Sequence, residues 1–270
     1  QMTFSLSNLI VPGLAGILIQ AVGAARAIAA NSVSFVDSAL LLTLIGAEPR
    51  IEPAKSATSL RDDIGEGLRW VFQHPVLRSQ LVWLTLGGLG FFLALPVTLV
   101  YIYNVLHLTP AVAGGVLVLE GVAGVVGLAI APRIVRHLSL GKTMWVSQVG
   151  MAVGIMAIPL ASFGQPVLLL ALALMLTGFA DSVQDVNQVT LRQSLTPARL
   201  QGRMNATFRL FYWGSWPLAS FIGGALATWI GAAPTIVIGG GLSLLVAVFI
   251  ALSPLGRLKE RATSELILES

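Results

Sequence analysis

Residues 109–131 read TPAVAGGVLVLEGVAGVVGLAIA, an apolar run broken by one ionisable side chain, Glu120. A bilayer core of roughly 30 Å needs about 20 apolar residues in a helix, and this run meets that requirement. It is one of eight such stretches; the others span roughly 4–22, 26–46, 79–104, 143–162, 166–188, 206–228 and 234–253. The first is interrupted by Ser5, Ser7, Asn8 and Pro12. No basic segment or cleavage site precedes it, so it does not read as a signal peptide. The pattern predicts an all-α integral membrane protein, a multi-span bundle of about eight transmembrane helices.

Composition agrees. Of 270 residues, 56% are hydrophobic and only 10% charged, with a mean hydropathy of +0.85. A soluble domain carries about 25% charged residues, so the apolar excess here calls for a lipid solvent. A disordered chain is excluded on hydrophobicity and a disulfide scaffold on the absence of cysteine. The net charge is +4, but sixteen cations spread along the chain make no dense basic patch, so no nucleic-acid partner is expected. His74, His107 and His137 fall on separate loops or span ends, which leaves no common metal site. No Gly-rich Lys-Ser/Thr nucleotide loop is present. No cofactor is expected.

The cations set the orientation. Arg50, Lys55, Arg61, Arg69 and Arg78 fill the segment between the second and third spans. Arg133, Arg136 and Lys142 lie in or near the loop after the fourth. Arg192, Arg199, Arg203 and Arg209 surround the loop after the sixth, and Arg257, Lys259 and Arg261 form the tail. Only Arg26 falls on the other set of loops, so fifteen of sixteen cations lie on alternate connections. The positive-inside rule makes those connections and the C-terminus cytoplasmic.

The long segment from Gly46 to Leu77 is predicted to hold an amphipathic helix. Ser59 is placed to cap it, Asp62 and Asp63 suit its positive end, and Pro75 stops it. Leu60, Ile64, Leu68 and Phe72 form one apolar stripe. The stripe suits a helix on the membrane surface or against the ends of the bundle.

The first two spans also repeat in the last two. Gly16 precedes Gly23-Ala24-Ala25 as Gly224 precedes Gly231-Ala232-Ala233, and Pro12 and Pro217 lie in the helices leading into them. Parallel repeats of this kind relate the halves of some secondary transporters.

Several motifs then share an order. Val11-Pro12-Gly13-Leu14-Ala15-Gly16 resembles the Gly/Pro motif of the fifth helix of the major facilitator superfamily. Leu60 to Arg69 and His74 to Arg78 resemble that family's connector between halves. Ala131 to Arg136 with Gly141-Lys142 is similar to a degraded form of the basic loop after its eighth helix. Pro197 with Leu200 to Ala206, including Gly202 and Arg203, is similar to the loop entering the eleventh. The chain resembles this superfamily, and within it the drug-exporter-like branch of proton-coupled efflux proteins. The resemblance equates the eight spans with helices five to twelve, so four N-terminal helices would be missing partners of the same protein. It also implies the organisation: residues 1–46 as the last two helices of the N-terminal half, 47–78 as a cytoplasmic connector, 79–254 as a six-helix C-terminal half and 255–270 as a cytoplasmic tail. A natural eight-span protein is the alternative to a fragment.

Ionisable groups inside hydrocarbon are candidates for function. Glu120 lies eleven residues from each end of its span, about 16 Å by helical rise, at the midplane where such sites are built. Its other reading is a carboxyl bonded to a Ser, Gln or backbone partner. Asp181 and Asp185 lie one turn apart, with Gln184, Asn187 and Gln188 nearby. Asp181 is expected in the cytoplasmic third of its span. Both remaining acids are candidates with a favoured structural reading: Asp185 as a solvated helix end near Arg192, and Asp37 as a packing or interhelical bond. Trp213 and Trp216 are placed to stack on an apolar substrate or to pack in the core. Trp83, Trp145, Trp229, Tyr101 and Tyr103 suit aromatic belts at span ends. Pro12, Gly16, Pro96, Gly121 and Gly124 are candidate hinge or gating positions, although packing alone also explains the glycines.

The functional expectation is a secondary active transporter in the plasma (inner) membrane, exchanging protons for an amphipathic small molecule by alternating access. A channel or a non-transporting sensor or scaffold shares the composition. An intramembrane aspartyl protease is disfavoured because Gly178-Phe179-Ala180-Asp181 lacks the second Gly of its motif. No enzymatic activity is expected.

Overall fold

The computed structural model describes residues 14–44 and 60–253. Pro12, the start of the first span, Ser59, residues 45–59 and the tail beyond Ser253 lie outside the described residues. Residues 14–22 are helical (α1). There follow α2 (Ala24–Leu44), α3 (Leu60–Gln73), α4 (Pro75–Asn104), α5 (Pro110–Leu138), α6 (Leu140–Ala157), α7 (Pro166–Ser194), α8 (Gln201–Ile230) and α9 (Ala232–Leu252). Short 3-10 turns occupy Ile158–Phe163 and Ala198–Leu200, and no strand occurs among the described residues. Among the described residues, five helices are both long and apolar enough to cross a bilayer: α4, α5, α6 with its 3-10 turn, α7 and α9. Helix α8 has 30 residues, but Ser215, Pro217, Ser220 and its paired glycines dilute its apolarity.

The helix starts follow from proline chemistry. Pro75, Pro110 and Pro166 stand in the first turns of α4, α5 and α7, where a missing N–H costs nothing. The joints follow from glycine. Gly23 (φ 84°) separates α1 from α2, and Gly231 (φ 92°) separates α8 from α9, a conformation that a Cβ disfavours. Each joint carries the same pair of backbone bonds: Gly23 N to Ile19 O and Ala27 N to Gly23 O, then Gly231 N to Ala227 O and Thr235 N to Gly231 O. The short repeat in the sequence is therefore matched by repeated backbone geometry.

The body of the molecule is α4 to α9. Helix α5 lies along α7, α4 along α8 and α9, and α6 along α7 and α9. Small residues set the closeness: a Cβ on Gly90 of α4 would stand 2.5 Å from Gly239 O of α9. Buried polar side chains then lock three helices together. Trp83 Nε1 donates to Gln148 Oε1 (3.0 Å), and Gln148 Nε2 donates to Ser243 O (3.0 Å). Pro96 lies inside α4 and cannot donate to the Phe92 carbonyl one turn back; Ser220 Oγ of α8 donates to that carbonyl instead (3.3 Å). The outer surface stays apolar, with Phe163, Trp229 and Phe221 at 85%, 84% and 78% exposure, as a lipid-facing bundle requires.

Several expectations need correction. Helix α5 runs about two turns past the apolar stretch and meets α6 at the single residue Ser139 (φ 69°). Arg133 and Arg136 are thus exposed helix residues rather than loop residues, and Gly202 and Arg203 lie in the first turn of α8. Polar residues ended the predicted spans early, but here they are accommodated at helix ends. Trp83 and Tyr101 are not belt residues: both are fully buried, and Tyr101 Oη donates to Pro159 O (2.9 Å). The stripe of α3 is divided between the two placements expected of it: Ile64 stays exposed as on a surface helix, and Phe72 meets the Phe211 ring of α8 edge-on (6.1 Å), while Gly67 and Val71 turn inward. The cause is α8, because Gly67 abuts the Arg203 backbone and the Arg203 guanidinium binds Asp63 (2.6 Å) and Glu66. Arg199 adds a second contact to Glu66 (2.8 Å).

Candidate functional site

Two acids of the apolar spans come together where α5 crosses α7. Glycines allow it: a Cβ on Gly178 would stand 2.6 Å from Glu120 O and 2.8 Å from Glu120 Cγ, and one on Gly124 would stand 2.8 Å from Ser182 Oγ. Glu120 therefore sits level with Gly178, one turn from Asp181, and the Asp181 charge acts on it directly. Glu120 is half-buried, and its carboxylate has no hydrogen-bond partner among the described residues. The same holds for Asp181, which is exposed on the open side of the bundle. The turns that α5 gains beyond residue 131 carry Arg133, Arg136 and His137, so Glu120 keeps its place midway along the apolar stretch.

Asp181 is nearer the middle of its helix than expected, because α7 continues to Ser194. That extension is held by bonds which the linear sequence conceals. Gln188 Nε2 donates to Asp185 Oδ1 (2.7 Å), Arg192 Nη1 donates to Gln188 Oε1 (3.2 Å), and Gln80 Nε2 of α4 donates to Gln188 O (2.6 Å). The Arg192 guanidinium lies 5.2 Å from the Phe208 ring centroid. Asp185 is exposed and lies near Arg192, as expected from the sequence, and it accepts a bond from Gln188.

A narrow crevice opens beside Asp181, lined by Trp83, Phe91, Gln148, Asp181, Gln184 and Tyr212 among others. Gln184 is 6% exposed, and its Oε1 is buried without a partner. An aromatic shelf continues from Tyr212. Phe92 stacks on Trp216 (5.2 Å, 14°), Trp216 meets Trp213 (5.4 Å), and Tyr212 meets Phe92 (5.1 Å). Trp213 and Trp216 pack on each other and on Phe92 while keeping 46% and 38% exposure. Of the two sequence readings of these residues, the packing one is seen in these ring contacts.

Asp37 is not brought into this site. Its side chain is exposed on α2, and α2 lines no part of the cleft. Gly16 packs α1 on α5, where its Cβ would meet Pro110 O at 2.5 Å, and Gln20 Oε1 of α1 accepts from Ala111 N (3.0 Å). Gly121 lies half-buried on α5 beside the crossing that Gly124 forms. Sequence reasoning missed Tyr212, Gln148 and Phe91. Gln148 was detectable as a lone amide inside an apolar span, and Tyr212 as the one phenol in the aromatic run from Phe208 to Trp216.

Long apolar helices that bring two unpartnered acids together at one crossing define a polytopic membrane protein. The sequence profile of the Major Facilitator Superfamily matches residues 1–220, and the chain belongs to that superfamily. A curated relative, an uncharacterized MFS-type transporter y4rN of Sinorhizobium fredii (strain NBRC 101917 / NGR234), is 29% identical over 232 residues. The match covers 83% of this chain but 55% of the relative, so the chain spans about half of that protein's length.

Proposed function

We propose that the chain is the larger part of a proton-coupled secondary transporter that exports an amphipathic small molecule by alternating access. The observation that carries this reading is the pair Glu120 and Asp181, two neighbouring carboxylates without hydrogen-bond partners at the α5–α7 crossing, of which Asp181 lines the crevice. A structural carboxyl inside a bundle would be tied to a donor, because an unpartnered polar group there is costly. A carboxyl that takes and releases a proton must stay free of such ties.

On this reading, residues 1–46 close the N-terminal half, 47–78 connect the halves, 79–254 form the C-terminal half and 255–270 a cytoplasmic tail in the plasma membrane. Four further helices complete the cavity. The internal repeat supports this: Gly16 packs on α5, whereas its counterpart Gly224 faces open space within 4 Å, where an equivalent helix fits. Arg133, Arg136, Gly202 and Arg203 mark the cytoplasmic side, and Pro96, Gly121 and Gly124 lie where the bundle would flex.

The test is flux by the complete protein in liposomes under an imposed pH gradient. A carrier gives saturable flux that follows the gradient. Non-saturating conductance, or no flux of any amphipathic solute, rejects the reading. Single cysteines at positions 55 and 195, in a chain with none of its own, should resist impermeant thiol reagents from outside intact cells.

A further inference from the structure

We infer that the outer edge of α3 binds an acidic phospholipid of the cytoplasmic leaflet, Arg61 and Arg69 holding its phosphate while Ile64, Leu68 and Phe72 receive its acyl chains. The inference is independent of what the protein carries and of Glu120 and Asp181.

Charge is sorted across α3. At about 100° per residue, Arg61, Leu68 and Phe72 lie along one line of the helix, with Ile64 on one side of it and Arg69 on the other. Arg61, Ile64, Arg69 and Phe72 are exposed, and Leu68 is half-buried. Asp63 and Glu66 lie on the opposite side, where Arg203 and Arg199 of the α8 entry bind them. Asp62, also exposed, has a contact of its own. The two acids most able to repel a phosphate are therefore engaged by α8. Among the described residues, neither Arg61 nor Arg69 has a salt-bridge partner. Arg78, exposed in the first turn of α4, adds a third cation beyond the Pro75 joint.

The apolar part of this edge joins the outer surface of the bundle. Phe72 meets Phe211 of α8 edge-on (6.1 Å). Leu218 and Ile222, two and three turns further along that face of α8, are exposed. Gly224, the position left open for a further helix, lies on the far side of α8 from Phe211, so a helix packed there leaves this surface to lipid. Phe211 stands ten residues into the 30-residue α8. By helical rise that is about 15 Å along a rod of about 45 Å, near the depth where headgroups give way to acyl chains. An amphipathic helix at that depth buries its apolar face and keeps its cations at the headgroups.

The chemistry selects the headgroup. Guanidinium forks pair with phosphate oxygens through two parallel bonds, while the aliphatic stems lie along the apolar stripe. A zwitterionic lipid brings its own cation against the two arginines, and an acidic one does not. Each arginine near an anionic surface contributes about fivefold in affinity.

The test places bimane on a cysteine replacing Ile64 in the complete protein, in nanodiscs where brominated phosphatidylglycerol and brominated phosphatidylcholine compete as quenchers. Phosphatidylglycerol should be preferred about fivefold or more at low salt, and the preference should shrink in about 0.5 M salt. The same label in place of Leu245, exposed on α9, should show no preference. Arg61→Gln combined with Arg69→Gln should bring the ratio at position 64 to about one, whereas Arg→Lys at both positions should retain most of it. If the double Gln variant does not fold, each single variant should lower the ratio severalfold. Equal quenching by the two lipids overturns the inference, as does a preference that survives loss of both arginines or appears equally at position 245. Quenching by neither lipid means that protein covers this edge, and overturns it too.

Discussion

Replacing Gln148 by Leu should remove the amide that ties α4, α6 and α9 while keeping nearly the same volume. Two interhelical bonds are lost, each of 3.0 Å: one from Trp83 Nε1 and one to Ser243 O. Both Gln148 and Trp83 are fully buried, so the indole N–H is left without water or a partner. Interhelical hydrogen bonds in membranes contribute about 0.6 kcal/mol on average and up to about 1.7. The substitution should therefore cost about 1–3 kcal/mol. Trp83→Phe removes the same donor together with part of the indole, so it carries an additional packing cost. The pair term is isolated by the double variant. Reversible unfolding in mixed micelles should show a coupling of about 0.6–1.7 kcal/mol between positions 83 and 148. Additivity within about 0.3 kcal/mol would refute the claim that this bond holds the bundle.

Four further outcomes follow from the packing and charge. Gly90→Ala should destabilise the bundle by about 1–3 kcal/mol, because its Cβ would meet the Gly239 carbonyl, a backbone atom that cannot step aside. Gly202→Ala, with nothing within 4 Å, should be neutral or slightly stabilising in the same melting assay. His74 caps α4 by accepting from Leu77 N, and burial lowers its pKa below the usual imidazole value. Since the unfolded chain binds that proton more readily, the stabilisation is present above pH 6.5 and declines as pH falls through the window below it. His74→Gln should flatten that part of a stability–pH profile. Arg203→Ala should release α3 from α8, seen as faster amide exchange across residues 60–73. Its cost should be about 1 kcal/mol and reduced by salt, because Arg203 and its partners are partly exposed.

The fold class was legible because membrane spans announce themselves by length and apolarity, and residues 109–131 show this most plainly. The interior was less legible. Polar residues end an apolar stretch in one dimension, so α5 and α7 read shorter than they are; in three dimensions Gln188, Arg192 and Asp185 satisfy one another and the helix continues. The stripe of α3 illustrates the opposite case. Its hydrophobic periodicity was real, yet Arg203 and its two acidic partners decided which face packs. Glu120 and Asp181 were individually visible as charges in hydrocarbon. Their adjacency was not, since it depends on Gly178 allowing α5 and α7 to touch. Tyr212 and Phe91 enter the cleft through helix rotation, which local sequence does not specify.

The central claim is that Glu120 carries a coupling proton, and paired flux measurements on Glu120→Gln in liposomes test it most directly. Gln retains the size and hydrogen-bonding capacity of the acid but cannot release a proton. Substrate-for-substrate exchange, which requires no net proton movement, should persist, whereas net flux driven by a pH gradient should vanish. If Glu120→Gln retains gradient-driven flux and Asp181→Asn loses it, the coupling proton resides on α7 and the account given for Glu120 is contradicted.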